Sequence, residues 1–330
     1  MSVAGGRGTA TAYWRGMSLS RTPRMLLLVA SGIVIGVVAF LLIRPYVGGK
    51  EPGLELPSSF PSIELPSIEP SGSPGAEPKV LVAVGDIGSC DSNADDAVAG
   101  LAKRLGGTVA ALGDTVYERG SDAEFADCFD PAWGSMKSRI RPAVGNHEYE
   151  TDGAAGYFDY FGSAAGKRGQ GWYSYDLGGW HIVVLNSNCD IIDCQPGSPQ
   201  LKWLHDDLAQ ANASCLLAYW HHPRWSSGRH GSQASVQPFW DELEPAGVDV
   251  ILNGHDHDYE RVQVQHIEQF VVGTGGRSLY PYTKRPLATT QTRTDQAYGA
   301  LWLELQPAGY EWQFISLGDS GFKDDGSGSC

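Results

Sequence analysis

The chain has 330 residues, 42% of them hydrophobic, with 38 acidic and 24 basic side chains, 42 glycines, 19 prolines and six cysteines. This length suits one large domain or two ordinary ones, and this apolar content excludes a globally disordered chain. The net charge of −14 argues against nucleic-acid binding, which calls for a basic face.

The charge is unevenly placed. Residues 1–50 hold six basic side chains (Arg7, Arg15, Arg21, Arg24, Arg44, Lys50) and no acidic one, which leaves 18 basic against 38 acidic in the remainder. Residues 1–24 read as a cytoplasmic N-terminus. Met25–Ile43 is an uncharged, mostly apolar run of 19 residues. As a helix it spans roughly 28 Å at ~1.5 Å per residue, close to the hydrocarbon core of a bilayer. The four arginines before it and the acidic bulk after it place the N-terminus inside. A signal peptide is the alternative. Its apolar region is shorter and ends in small residues, whereas this run ends Leu41-Leu42-Ile43-Arg44. The expectation is therefore a single-pass anchor at 25–43, with the remainder outside the cytoplasm, or secretion after signal cleavage.

Residues 44–78 carry eight prolines and an imperfect repeat, Pro61-Ser-Ile-Glu-Leu and Pro66-Ser-Ile-Glu-Pro. Such a stretch reads as an extended disordered linker, able to reach roughly 100 Å at ~3.1 Å per residue. All six cysteines (Cys90, Cys128, Cys189, Cys194, Cys215, Cys330) follow the anchor. An even number in an oxidising compartment points to disulfides. Cys189 with Cys194 and Cys90 with Cys128 are candidate pairs, while the full connectivity stays open. A zinc site is the competing reading, but no CxxC spacing occurs.

A folded domain is expected over 79–330. Lys79–Val84 and Thr108–Leu112 read as strands around a helix at Asp95–Leu105, and Pro142–Val144 leads into Gly145. Trp172–Leu177 and Trp180–Leu185 flank Gly178-Gly179, a hairpin signal. Leu201, Leu204 and Leu208 mark a helix with Pro199 near its start. Leu216–Trp220 and Val248–Leu252 read as strands around a helix at Phe239–Leu243, and Gln269–Val272 and Ala300–Leu305 read as later strands. The alternation predicts an α/β domain with a buried sheet. Asp86, Asp114, Asn146, His221 and His255 each fall just past the C-terminal end of one of these strands. In open α/β sheets ligands bind at that edge, so five strands would deliver five metal-ligand types to one place.

Singly, each signal is weak. Gly85-Asp86 alone is an ordinary turn. In Gly254-His255-Asp256-His257, two histidines at i and i+2 share one side of an extended stretch, yet such a segment also occurs as a polar surface turn. The ordered set carries the argument: Gly85-Asp86, Gly113-Asp114-Thr-Val-Tyr117, Gly145-Asn146-His147-Glu148, His221, and the Gly254 segment. It reads as a two-metal hydrolase, whose metals share a carboxylate and leave a place for water. Asp114 is the natural bridge.

These blocks resemble the calcineurin-like metallophosphoesterases, and within them the purple acid phosphatases, over about residues 80–320. The superfamily's first block is usually Asp-x-His, whereas here it is Asp86-Ile87-Gly88. In purple acid phosphatases a tyrosine three residues after the second aspartate fills that place, as Tyr117 does after Asp114. His257-Asp258-Tyr259-Glu260-Arg261 is similar to the ending of their last block. The resemblance implies a four-layer αββα sandwich. It assigns one metal to Asp86, Asp114, Tyr117 and His257, and a second to Asp114, Asn146, His221 and His255. It selects His221 over His222, two residues before Pro223, and leaves His222 beside the ligands or at the surface. It gives His147 and His230 substrate-facing, catalytic roles, with His181, His205 and His266 structural or at the surface.

Charge counting suits Fe(III) at the first site, with two carboxylates and a tyrosinate, and divalent Fe, Mn or Zn at the second. The implied reaction is in-line hydrolysis of a small phosphomonoester by hydroxide formed on the metals. Phosphodiester or nucleotide hydrolysis is the alternative, followed by a non-catalytic metal-binding module. No nucleic-acid partner is expected, and the sequence leaves the oligomeric state open.

Overall fold

A computed structural model describes residues 77–318 and 320–330. The apolar run 25–43 and nearly all of the 44–78 linker lie outside the described residues, among which no helix is long and apolar enough to cross a membrane.

Thirteen strands build two sheets. In chain order they are β1 (Lys79–Val84), β2 (Thr108–Leu112), β3 (Ile140–Ala143), β4 (Tyr173–Leu177), β5 (Trp180–Val184), β6 (Cys215–Tyr219), β7 (Val250–Asn253), β8 (Tyr259–Val264), β9 (Ile267–Val272), β10 (Thr290–Thr294), β11 (Gly299–Gln306), β12 (Gly309–Ser316) and β13 (Asp324–Ser329). The first sheet runs β13-β12-β11-β1-β2-β3 and the second β10-β8-β9-β7-β6-β5-β4. Each has a parallel block, β1-β2-β3 in one and β5-β6-β7-β9 in the other. Antiparallel strands complete both.

The near-continuous apolar runs of the sequence follow from burial on both faces. Along β1, Leu81 and Ala83 face one core while Val82 and Val84 face another. Along β6, Leu217 and Tyr219 share the first of these cores with β1, whereas Leu216 and Ala218 face a third. The shared core is the layer between the sheets. The outer core of the first sheet is covered by helix Ala94–Leu105 and the short helical turns between 122 and 165; that of the second is covered by helices Pro199–Gln210 and Gln237–Leu243. The arrangement is helix, sheet, sheet, helix, as the resemblance implied.

The hairpin at Gly178-Gly179 forms with Leu177 opposite Trp180. Helix Pro199–Gln210 starts at Ser198, whose hydroxyl accepts the Leu201 N–H at 3.3 Å. The cysteines pair as Cys90–Cys128, Cys189–Cys194 and Cys215–Cys330. One expectation is corrected. The five residues at strand ends come from two sheets, not one: Asp86, Asp114 and Asn146 follow β1, β2 and β3, while His221 and His255 follow β6 and β7. The sheets meet at this edge, where Gly85 N–H donates to Val272 O at 2.9 Å and Gly275 N–H to Gly85 O at 2.9 Å.

Candidate metal centre

The seven residues assigned to metals by the resemblance gather where the sheets meet. The Tyr117 hydroxyl lies 2.8 Å from Asp86 Oδ1, 3.0 Å from Asp114 Oδ2 and 3.1 Å from His257 Nε2. His257 Nε2 is itself 3.2 Å from Asp86 Oδ1. Beside this group, His221 Nε2 lies 3.3 Å from Asp114 Oδ2, 3.1 Å from Asn146 Oδ1 and 3.3 Å from His255 Nδ1. Asp114 Oδ2 belongs to both groups.

These atoms lack the protons to satisfy one another. Tyr117 has one proton for three acceptors. His221 Nδ1 sits 2.9 Å from Leu112 O, an acceptor, so Nδ1 carries a proton and Nε2 is left facing further acceptors. Burial disfavours a charged His221, yet Asp114, then Asp86 and the Leu112 carbonyl together outweigh it and raise His221 to about 9. Burial likewise opposes ionisation of Asp114, but His221 and His147 hold its carboxyl well below the usual range. Burial pushes the Tyr117 phenol well up, and Asp114 and Asp86 add to this. A buried nest of acceptors that draws positive charge onto itself fits cations. The donors are hard oxygens and imidazoles, suited to Fe, Mn or Zn.

The backbone places them at a cost. Asp86, Asp114 and His255 have φ of 59°, 47° and 73°, left-handed conformations that side chains seldom occupy and that cluster at functional sites. The turn at His255 corrects the extended geometry expected of that segment: His255 faces His221, and His257 faces Asp86 and Tyr117. A Cβ at Gly145 would collide with the Asp114 carboxylate, so only glycine fits there.

Two acidic residues, not singled out in the sequence, brace the site: Glu148 the turns of Asp114 and Asn146, and Asp256 the loop of His230. Buried Glu148 accepts the N–H groups of Gly145 (2.7 Å), Thr115 (2.6 Å) and Asp114 (3.1 Å), and the Thr115 hydroxyl (2.8 Å). Asp256 accepts the N–H groups of His230 (2.6 Å) and Gly231 (3.0 Å) and the Ser226 hydroxyl (2.5 Å). Both lie inside quoted sequence blocks, but backbone acceptance leaves no trace in residue spacing.

His147 lies beside Tyr117 and Asp114, and His230 beside His255. The His147 ring is 4.4 Å from that of Tyr117, its Nδ1 is 2.6 Å from Glu118 O, and its Nε2 is 4.0 Å from Asp114 Oδ2. His230 is exposed, with its ring 4.4 Å from that of His255. His222 packs beside the centre, its ring 4.4 Å from His255 and its Nδ1 2.8 Å from Ser187 Oγ. Burial, then the charge of His221, pushes His222 down to about 3. His181 is structural, held between Asp176 and Asp207, and His205 is exposed beside Glu242.

Residues 79–259 match the family model for calcineurin-like phosphoesterases, more than half of the chain. The chain belongs to that family. It is 27% identical over 229 residues to purple acid phosphatase 15 of Arabidopsis thaliana, an alignment covering 58% of this chain and 42% of that protein. To purple acid phosphatase 23 of the same plant it is 24% identical over 249 residues, covering 64% and 52%. The chain therefore spans about half the length of these curated relatives. Among solved structures, purple acid phosphatase PPD1 from yellow lupin (Lupinus luteus) seeds superposes with a TM-score of 0.67 at 18% identity, covering 77% of this chain and 54% of that one. This calcineurin-like phosphoesterase thus shares its fold with part of that purple acid phosphatase.

Proposed function

We propose that the chain is an exported, membrane-anchored two-metal phosphoesterase that hydrolyses small phosphomonoesters. The observation that carries this reading is the shared Asp114 oxygen, 3.0 Å from Tyr117 Oη in one group and 3.3 Å from His221 Nε2 in the other. Asp86, Asp114, Tyr117 and His257 would hold Fe(III), and Asp114, Asn146, His221 and His255 a divalent Fe, Mn or Zn. Such a pair, when bound, polarises phosphoryl oxygens and supplies a water acidic enough to ionise near neutral pH. Glu148 fixes the turns that carry Asp114 and Asn146. His147, anchored through Nδ1 on Glu118 O, presents Nε2 to the transferring phosphoryl group. His230, presented by the Asp256-bound loop beside His255, would join His147 in neutralising charge on that group, with one of the two protonating the leaving oxygen. Three disulfides support an oxidising compartment, and the 25–43 run supports the anchor.

The test is phosphate release by the full-length chain, supplied with Fe, Mn or Zn, from an aryl phosphomonoester and an aryl phosphodiester. Asp114→Asn should lower monoester turnover by roughly 10³-fold or more, since the residue serves both metals. Preferred turnover of the diester would replace the substrate class, and an inert, folded, metal-loaded wild type would overturn the hydrolase reading. Protease treatment of intact cells checks the topology: degradation of the domain places it outside, and protection refutes export.

A further inference from the structure

Two arginines stand on aromatic rings at the mouth of the centre. The Arg277 N–H donates to Asp86 O at 3.2 Å, and its guanidinium carbon lies 5.3 Å from the Tyr117 ring centre. Arg229 precedes His230, and its guanidinium carbon lies 4.8 Å from the Tyr280 ring centre. Tyr280 in turn lies flat on His257, 4.1 Å between centroids and 8° between planes, and its N–H donates to His257 O at 3.0 Å. Lys284 Nζ donates to Arg229 O at 3.0 Å and adds a third cation.

Charge makes this grouping unusual. Beyond residue 50 acids outnumber bases 38 to 18, yet cations gather at this mouth. Arg277 pairs with Glu118, while Arg229 has no ion pair among the described residues. Arg229, set over its ring and without an ion pair, keeps its N–H edge free, and that edge matches a phosphate with two parallel hydrogen bonds, while Arg277 shares its charge with Glu118 beside it.

We infer that Arg229 and Arg277 select substrates carrying a second phosphate, which they hold at the mouth while the scissile phosphate occupies the metal centre; this rests on the phosphoesterase reading above. Small bisphosphates are then preferred over monoesters whose leaving group is uncharged.

The test compares 1,4-phenylene bisphosphate with 4-methoxyphenyl phosphate on the full-length, metal-loaded chain. Wild type should show the higher kcat/KM on the bisphosphate. Arg229→Gln should cut the bisphosphate-to-monoester ratio by about tenfold, Arg277→Gln should also lower it, and Arg229→Lys should restore part of it. A wild-type ratio near one, or one that neither glutamine variant changes, overturns the inference while monoester turnover leaves the hydrolase reading intact. If neither compound turns over, the hydrolase reading falls. The same two compounds, compared by calorimetric Kd in wild type and Arg229→Gln, then decide whether the mouth prefers a second phosphate.

Discussion

Tyr117 is the residue on which the nature of the first metal turns. Its hydroxyl is boxed in by Asp86, Asp114 and His257, so a bound Fe(III) would hold it as tyrosinate and colour the protein through charge transfer. Tyr117→Phe should bleach that visible band; an active, colourless wild type free of iron would refute the assignment. Glu148 is a residue of a different kind, since it touches no substrate position. Its fully buried carboxylate accepts three backbone N–H groups from the two turns that carry Asp114 and Asn146. Glu148→Ala strands those N–H groups at about 1–3 kcal/mol each. It should therefore lower unfolding free energy by about 3 kcal/mol or more in urea titrations and weaken metal retention; Glu148→Gln, which keeps an acceptor oxygen, should do less. The strained backbone at Asp86, Asp114 and His255 depends on such support.

Among the elements, the β4–β5 hairpin is fastened to helix Pro199–Gln210 by His181. Its Nδ1 lies 2.8 Å from Asp176 Oδ1 and its Nε2 2.9 Å from Asp207 Oδ2, and Ser174 Oγ donates to Asp207 at 2.7 Å. The bond to Asp207 leads a set of influences that together raise the His181 pKa above its ordinary value, against burial. The folded state therefore binds this proton more tightly than the unfolded chain. The gain is fully present below about pH 6.5, the unfolded value, and is lost as pH rises through the folded value. His181→Gln should thus destabilise more at pH 5.5 than at pH 8.5, read from urea midpoints at both; equal losses would refute the clasp. Strand β13 shows a second device. Its sequence Asp-Asp-Gly-Ser-Gly-Ser has no strand propensity, yet it pairs with β12 from Phe314 opposite Asp324 to Gly309 opposite Ser329. Gly326 and Gly328 let it lie against the rings of Trp312 and Tyr310. Arg261 and the Tyr259 hydroxyl grip Asp324 at its start.

For the whole molecule, the Cys215–Cys330 bond ties the end of the first sheet to β6 in the second, across 115 residues of chain. A closed loop of that order stabilises by about 3–5 kcal/mol through the unfolded chain's lost entropy. Paired Cys215→Ser and Cys330→Ser changes should lower the thermal midpoint measurably, while opening the Cys189–Cys194 bond, which closes only five residues, should cost less. The two sheets each deliver half of the metal centre, so their relative placement is a requirement of function as well as of the core.

How much of this was legible in the sequence follows from what is local. A buried parallel strand announces itself as a short apolar run, and the polar residue just past its end is a fixed number of positions away. Hence β1, β2, β6, β7 and the five ligand candidates at strand ends could be read directly, while the resemblance to purple acid phosphatases added Tyr117 and His257. The same local chemistry marked helices 94–105 and 199–210. What the tertiary structure alone decided joins distant segments: the division of the ligands between two sheets, the turn that sends His255 and His257 to different groups, and the Cys215–Cys330 pairing. Strand β13 and the acceptor roles of Glu148 and Asp256 belong here too. A lone carboxylate looks the same whether it binds metal, backbone or water, and an edge strand held by its neighbours needs no apolar period of its own. Only the folded chain, where residues 33 to 169 positions apart come within 3 Å, gives such residues their partners and so their roles.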